Sequence, residues 1–211
     1  MTHLMFAATC DLAGKVRGKA FPADDIKRRL SRGVGWTPTN VQINCFDGIA
    51  DSPFGALGDL LLVPDEKARI DINCGPKSET FFLGDILTLE GTPWEFCTRS
   101  VLRSALTRLE KIAGVYAFAA FEHEFQLKSS SGLLGEGFGR AGFENQRELC
   151  EVIITQIEAA GLRTDSIMKE YGPEQYEVVI GPEEGIRAAD AAVIVREIVR
   201  STARHLGEEA T

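Results

Sequence analysis

The sequence predicts an α+β protein, on three observations. Short strand-like segments separated by Gly, Pro and Asp turns crowd the chain up to about Pro93. Beyond Pro93-Trp94, longer segments with helical spacing take over, with a few strand candidates between them. Hydrophobic residues make up 44% of the chain and charged residues 26%, enough apolar material for a core of normal size.

In chain order, LMFAATCDL and KVRGKAF are strand candidates joined at Ala13-Gly14, a hairpin signal. Pro22 opens a helix with Asp24 and Asp25 in its first turn, where the helix dipole favours acids. That helix runs through IKRRLSR to Gly33, and its basic residues read as a solvated face. VQINCF, DLLLVPD, ARIDIN and TFFLGDIL follow as four strand-like segments divided by turn residues. Thr98 is expected to cap a helix through SVLRSALTRLEKIA that stops at Gly114. The apolar run GVYAFAAF reads as a buried strand leading into FEHEF, and the glycine-rich loop SSSGLLGEGFGRAG as a mobile loop near a pocket. ENQRELCEVIITQIEAA is an amphipathic helix ended by Gly161. RTDSIMKE and QYEVVI are strands, and PEEGIRAADAAVIVREIVRSTARHL is a long final helix with Gly207 beyond it. The change of pattern sets a domain boundary near residue 95, giving domains 1–95 and 96–211.

A net charge of -8 without a basic stripe argues against nucleic acid as a partner. No apolar run approaches the length of a membrane span, and the N-terminus lacks the basic region of a signal peptide. Five cysteines, an odd count with no CxxC pair, read as buried free thiols in a reducing cytoplasm rather than a disulfide framework or zinc site. Two phosphate-loop patterns fail on detail. GKVRGKA is one residue short between its glycines and ends in Ala where Ser or Thr is required. GFGRAG matches GxGxxG but does not directly follow a strand.

The chemistry concentrates in two segments. Side chains alternate along a strand, so Glu122, Glu124 and Gln126 share one face of FEHEFQL, while Phe121, His123 and Phe125 share the other. In MKEYGPEQYEVVIG, Gly172-Pro173 make a turn that brings Glu170 beside Glu177. If both segments join one sheet, four carboxylates converge on one surface. Three readings suit such a surface: a solvated strand edge, a general acid/base carboxylate pair, or an oxygen-ligand site for a hard divalent cation. Four carboxylates fit the cation better than the pair, and magnesium or manganese better than zinc, because no Cys/His cluster accompanies them.

At these residues the chain resembles the glutamine synthetase family. CDLAGKVRGKAFP is similar to the family's opening hairpin, and FDG at 46–48 followed by GDLLLVPD to its small N-terminal domain. FEHEF is similar to its ExEF strand and KEYGPEQYEV to its E-x-GP-x-Q-x-E segment, in the same order. The resemblance is closest to the branch that contains ligases for amines other than ammonia. It implies a small β-grasp-like N-terminal domain followed by the first part of a catalytic domain on an antiparallel sheet. It implies ATP-dependent phosphorylation of the γ-carboxylate of glutamate, then displacement of phosphate by ammonia or an amine, with Mg2+ or Mn2+ as cofactor. Carried over by motif, Glu124, Glu170 and Glu177 would hold the metal near glutamate, and Glu122 the metal near the ATP phosphates. Asp47 would bind or deprotonate the incoming amine in a neighbouring subunit's site, within a homo-oligomer. Two departures bear on the acceptor: Ile49-Ala50 follow FDG where serines are frequent, and Lys169 stands where a histidine or asparagine is frequent. The family's later metal histidine, phosphate-binding arginines and flap have no counterpart here, so the expectation is a fragment without full ligase activity of its own. A non-catalytic assembly or regulatory partner of a full-length ligase is the rival expectation, and a metal-dependent hydrolase a further one.

Overall fold

The computed structural model describes residues 3–73, 78–128 and 136–211. The stretch SSSGLLG of the glycine-rich loop and Cys74 lie outside them. The described chain forms two compact units, one of residues 1–70 with 79–116 and one of 71–78 with 117–211.

The first unit is built on a hairpin. β1 (Leu4–Cys10) and β2 (Val16–Pro22) pair antiparallel through a turn with Gly14 at positive φ. Asp24 and Asp25 fall in a single 3-10 turn, and α1 (Ile26–Arg32) follows with no fully buried residue. β3 (Val34–Trp36), β4 (Leu60–Ile72) and β5 (Glu79–Leu87) complete a sheet of order β2-β1-β5-β4-β3, in which β1 and β5 run parallel at the centre. Ala7, Phe21, Leu62, Phe82 and Ile86 form its dry face, against which Ile26 and Leu30 of α1 pack. A mixed sheet closing on one helix is the β-grasp-like arrangement. α2 (Thr98–Ala113) is tied to this unit by Arg99, which is buried and donates to Asp65 at 2.8 Å and Asp85 at 3.1 Å.

The second unit is a sheet backed by helices. Its elements are β6 (Phe118–Ala119), β7 (Glu122–Gln126), α3 (Arg140–Asn145), α4 (Arg147–Ala159), β8 (Thr164–Lys169), β9 (Gln175–Ile180), β10 (Glu183–Glu184) and α5 (Ile186–His205). β7, β9 and β8 form an antiparallel sheet in that order, while β6 and β10 pair separately. Tyr176, Val178, Ile180 and Phe125 turn inward, where they join Ile153, Ile157, Ile194 and Ile198 of α4 and α5 in the core.

Several expectations are corrected. VQINCF is a loop, not a strand, because Asn44 Oδ1 accepts the amides of Phe46 and Gly48 and bends the chain. DLLLVPD and ARIDIN are one 13-residue strand, with Pro64 carried inside it. Thr98 does not cap α2: Cys97 holds that position, and the Thr98 hydroxyl donates to the Cys10 carbonyl. GVYAFAAF is not a buried strand. Only Phe118–Ala119 pair, with Glu183–Glu184, and Phe118 is 66% exposed. The thiols are free among the described residues but not all buried: Cys97 and Cys150 are, Cys10 is half-buried and Cys45 is exposed.

Gly84 shows how tightly the first sheet is drawn. A Cβ there would stand 2.3 Å from the Val63 carbonyl oxygen, a backbone atom that cannot swing aside. Gly84→Ala is expected to cost about 1–3 kcal/mol, read as a lower urea midpoint at unchanged m-value. Thiol labelling tests both units together. Burial pushes the Cys150 thiol up to about 11, so in native buffer a disulfide reagent should modify Cys45 at once, and Cys97 and Cys150 only on unfolding.

Candidate functional site

Alternation along three short strands places the carboxylates. The ladder sets Glu124 opposite Glu177 and Glu122 opposite Val179, with Met168 opposite Glu177 on the other side. Glu122, Glu124, Gln175, Glu177, Met168 and Glu170 therefore share the face turned away from the helices. The inward face holds Phe125, Tyr176, Val178 and Lys169, all buried. Glu122 and Glu124 are exposed, whereas Glu170 and Glu177 are 8% and 9% exposed.

Crowding is visible in the protonation balance. Burial, followed by the charges of Glu122, Glu170 and Glu124 and a hydrogen-bond contact with Glu170, holds Glu177 above the ordinary carboxylate range. The turn between β8 and β9 orients the group. The Gln175 side chain accepts the Gly172 amide at 2.9 Å and donates to Glu124 Oε2 at 2.5 Å, and Glu170 Oε2 accepts the Tyr171 amide at 3.2 Å. A Cβ on Gly172 would lie 2.5 Å from Gln175 Oε1, so a larger residue there would have to displace the Gln175 side chain.

The donor set is oxygen throughout, the chemistry a hard divalent cation takes. A cation would relieve the repulsion that now falls on Glu177. In this arrangement no three His, Cys, Asp or Glu side chains among the described residues are gathered closely enough to hold an ion. Glu124 is turned to Gln175 and Glu170 to its own turn.

His123 belongs to the other face. Its Nε2 donates to the Ala192 carbonyl of α5 at 3.0 Å, and burial holds its pKa below the usual value. It is a neutral packing residue behind the carboxylates.

Asp47 lies in the other unit, at the tip of the Asn44 loop, with φ at 61°. Its Oδ1 accepts from Lys15 at 3.0 Å and from Arg17 at 3.4 Å. The Lys15 hydrogen bond and charge, with Arg17 behind them, hold the Asp47 carboxyl below its usual range. Arg17 is in turn fixed by Asp11 through its Nε. Sequence reasoning selected Asp47 but neither cation. It also missed the hydrogen bonds of Gln175 to Gly172 and Glu124, although Gln175 stands in the quoted KEYGPEQYEV segment.

The family model for the glutamine synthetase N-terminal domain matches residues 2–94, and that for the glutamine synthetase catalytic domain matches residues 95–211. The type-1 glutamine synthetase 1 of Dictyostelium discoideum is 27% identical over 99% of this chain and 48% of its own length. A gamma-glutamylpolyamine synthetase of Streptomyces coelicolor is 27% identical over 96% of this chain and 46% of its own. A glutamate–isopropylamine ligase from Pseudomonas is 26% identical over 72% and 36%. A solved structure of a novel glutamine synthase homologue superposes with a TM-score of 0.93 at 34% identity, over all of this chain and 50% of that one. The chain thus spans about half the length of the relatives it matches.

The Lys15 contact can be tested alone. Lys15→Ala should raise the Asp47 pKa back toward the usual aspartate value, followed by carbon-detected carboxyl titration. An unmoved pKa would show that the contact is absent in solution.

Proposed function

The chain belongs to the glutamine synthetase family, and we propose that it is part of a longer enzyme that joins glutamate to ammonia or an amine at the expense of ATP. Residues 1–95 form the small N-terminal domain of this reading and residues 96–211 the front part of the catalytic domain. The observation that carries it is the register of β7, β9 and β8, which lines up Glu122, Glu124, Glu170 and Glu177 on one face.

In this reading Glu124, Glu170 and Glu177 hold a divalent ion near the substrate glutamate, and Glu122 helps to hold one near the ATP phosphates. Bound Mg2+ or Mn2+ neutralises charge on the phosphates and on the transferred group. The chain's own part is orientation. Gln175 fixes Glu124, the turn fixes Glu170, and the helices behind the sheet keep water from its inner face. The γ-carboxylate is first phosphorylated, and the incoming nitrogen then displaces phosphate. Asp47 serves that nitrogen, in a neighbouring subunit of a homo-oligomer. A carboxylate held below its usual pKa is a weak base, so Asp47 suits the binding of a protonated amine better than the removal of its proton. The amine ligases among the relatives support keeping alkylamines and polyamines open as acceptors beside ammonia.

The test is phosphate release by the whole enzyme with ATP, glutamate and a panel of ammonia, alkylamines and polyamines. Glu124→Ala or Glu170→Ala should each lower kcat by on the order of 10²-fold or more, the scale of lost charge stabilisation in a preorganised site. Wild-type rates in either variant, or turnover without ATP, would overturn the assignment.

A further inference from the structure

Lys169 follows directly before Glu170 and turns to the opposite face of β8. It is 2% exposed, and burying an ammonium is costly unless it is hydrogen-bonded. Its Nζ donates to two main-chain carbonyls, those of Glu170 and Gly172, each at 2.6 Å. It also lies 5.6 Å from the centre of the Tyr176 ring. The rest of the residue is equally confined. A Cβ on Gly142 of α3 would stand 2.7 Å from Lys169 Cγ, and the Lys169 carbonyl accepts the Phe138 amide at 2.8 Å.

The two carbonyls that Lys169 grips belong to the turn that aims the carboxylates. One is that of Glu170 itself, whose carboxylate meets Glu177. The other is that of Gly172, whose amide is taken by Gln175, which in turn donates to Glu124. A single ammonium behind the sheet is thereby connected to carboxylates on β8 and on β7.

We propose that Lys169 is a positioning residue for the cation site: by clamping the Glu170 and Gly172 carbonyls it holds Glu170, and through Gln175 also Glu124, in place for a divalent metal. This rests on the metal reading given above. The sign of the effect separates it from simple electrostatics. A nearby ammonium repels a metal cation, so a Lys169 that acted only through its charge would tighten metal binding when removed. A positioning Lys169 loosens it.

The experiment is titration of the whole enzyme that contains this chain with Mn2+ alone, following the free-ion electron paramagnetic resonance signal. Glu170→Gln is the ligand control, and Lys169→Met removes the ammonium while filling its space. Lys169→Met is expected to weaken Mn2+ binding about tenfold, the lower end for partners that orient metal ligands, with a folded near-ultraviolet dichroism spectrum. Its effect should shrink in a Gln175→Leu background, because part of it passes through that side chain. Unchanged or tighter binding, or full additivity with Gln175→Leu, overturns the proposal, provided that Glu170→Gln still weakens binding. No effect of Glu170→Gln, or no Mn2+ binding by the parent enzyme, overturns the metal reading and this proposal with it. Should Lys169→Met fail to fold, Lys169→Gln, which keeps a donor, is judged by the same outcomes at a smaller loss.

Discussion

Like charge on one face of a three-stranded sheet is the constraint on which the second unit is organised. Glu177 is nearly buried and has three carboxylates around it, so each ionised neighbour raises the cost of ionising it. Such a cluster would relax by slipping or splaying if its strands were free. They are not, because the opposite face carries Phe125, Tyr176, Val178 and Ile180 in a dry core. A slip of one residue would turn every carboxylate inward and every core side chain outward. Hydrophobic burial therefore sets the register, and the register sets the charges.

The first unit handles charge the other way. Asp47 meets Lys15 and Arg17 rather than other acids, on an exposed loop shaped by Asn44. Exposed pairs of this kind contribute little to stability, so the contact orients Asp47 without committing it. In the proposed role, an incoming ammonium group would exchange with Lys15 at little cost. The buried Arg99 with Asp65 and Asp85 is a different case: there a half-broken network would strand a charge under α2. One pairing is built to yield and the other to hold.

Much of this was legible in the sequence, where its physics was local. Period-two alternation in 121–127 and 175–180 gave the correct faces, and the Gly172-Pro173 turn brought Glu170 to Glu177. Gly114 and Gly161, at positive φ, mark helix ends as expected. What failed depended on partners. GVYAFAAF is apolar enough for a core strand, but only two of its residues find a pairing strand. The three residues Val34–Trp36 are too short to signal a strand, yet they complete the sheet beside β4. Pro64 and the charges after it look like a turn, but β4 runs through them, and Asp65 is taken up by Arg99. Parity alone puts Lys169 on the inner face; that its ammonium ends on two turn carbonyls required the folded hairpin.

Lys169 also carries a cost that bears on how such a site is tuned. A neutral donor at this place would support the turn without opposing a cation. An ammonium reaches two carbonyls at once. In the proposed site, that hold on the turn would come at the expense of some electrostatic attraction for the ion. Preorganisation and attraction trade against each other. With four acids on the face against the Lys169 ammonium, attraction for the proposed ion would remain in surplus, so the geometry of the acids is the quantity worth protecting.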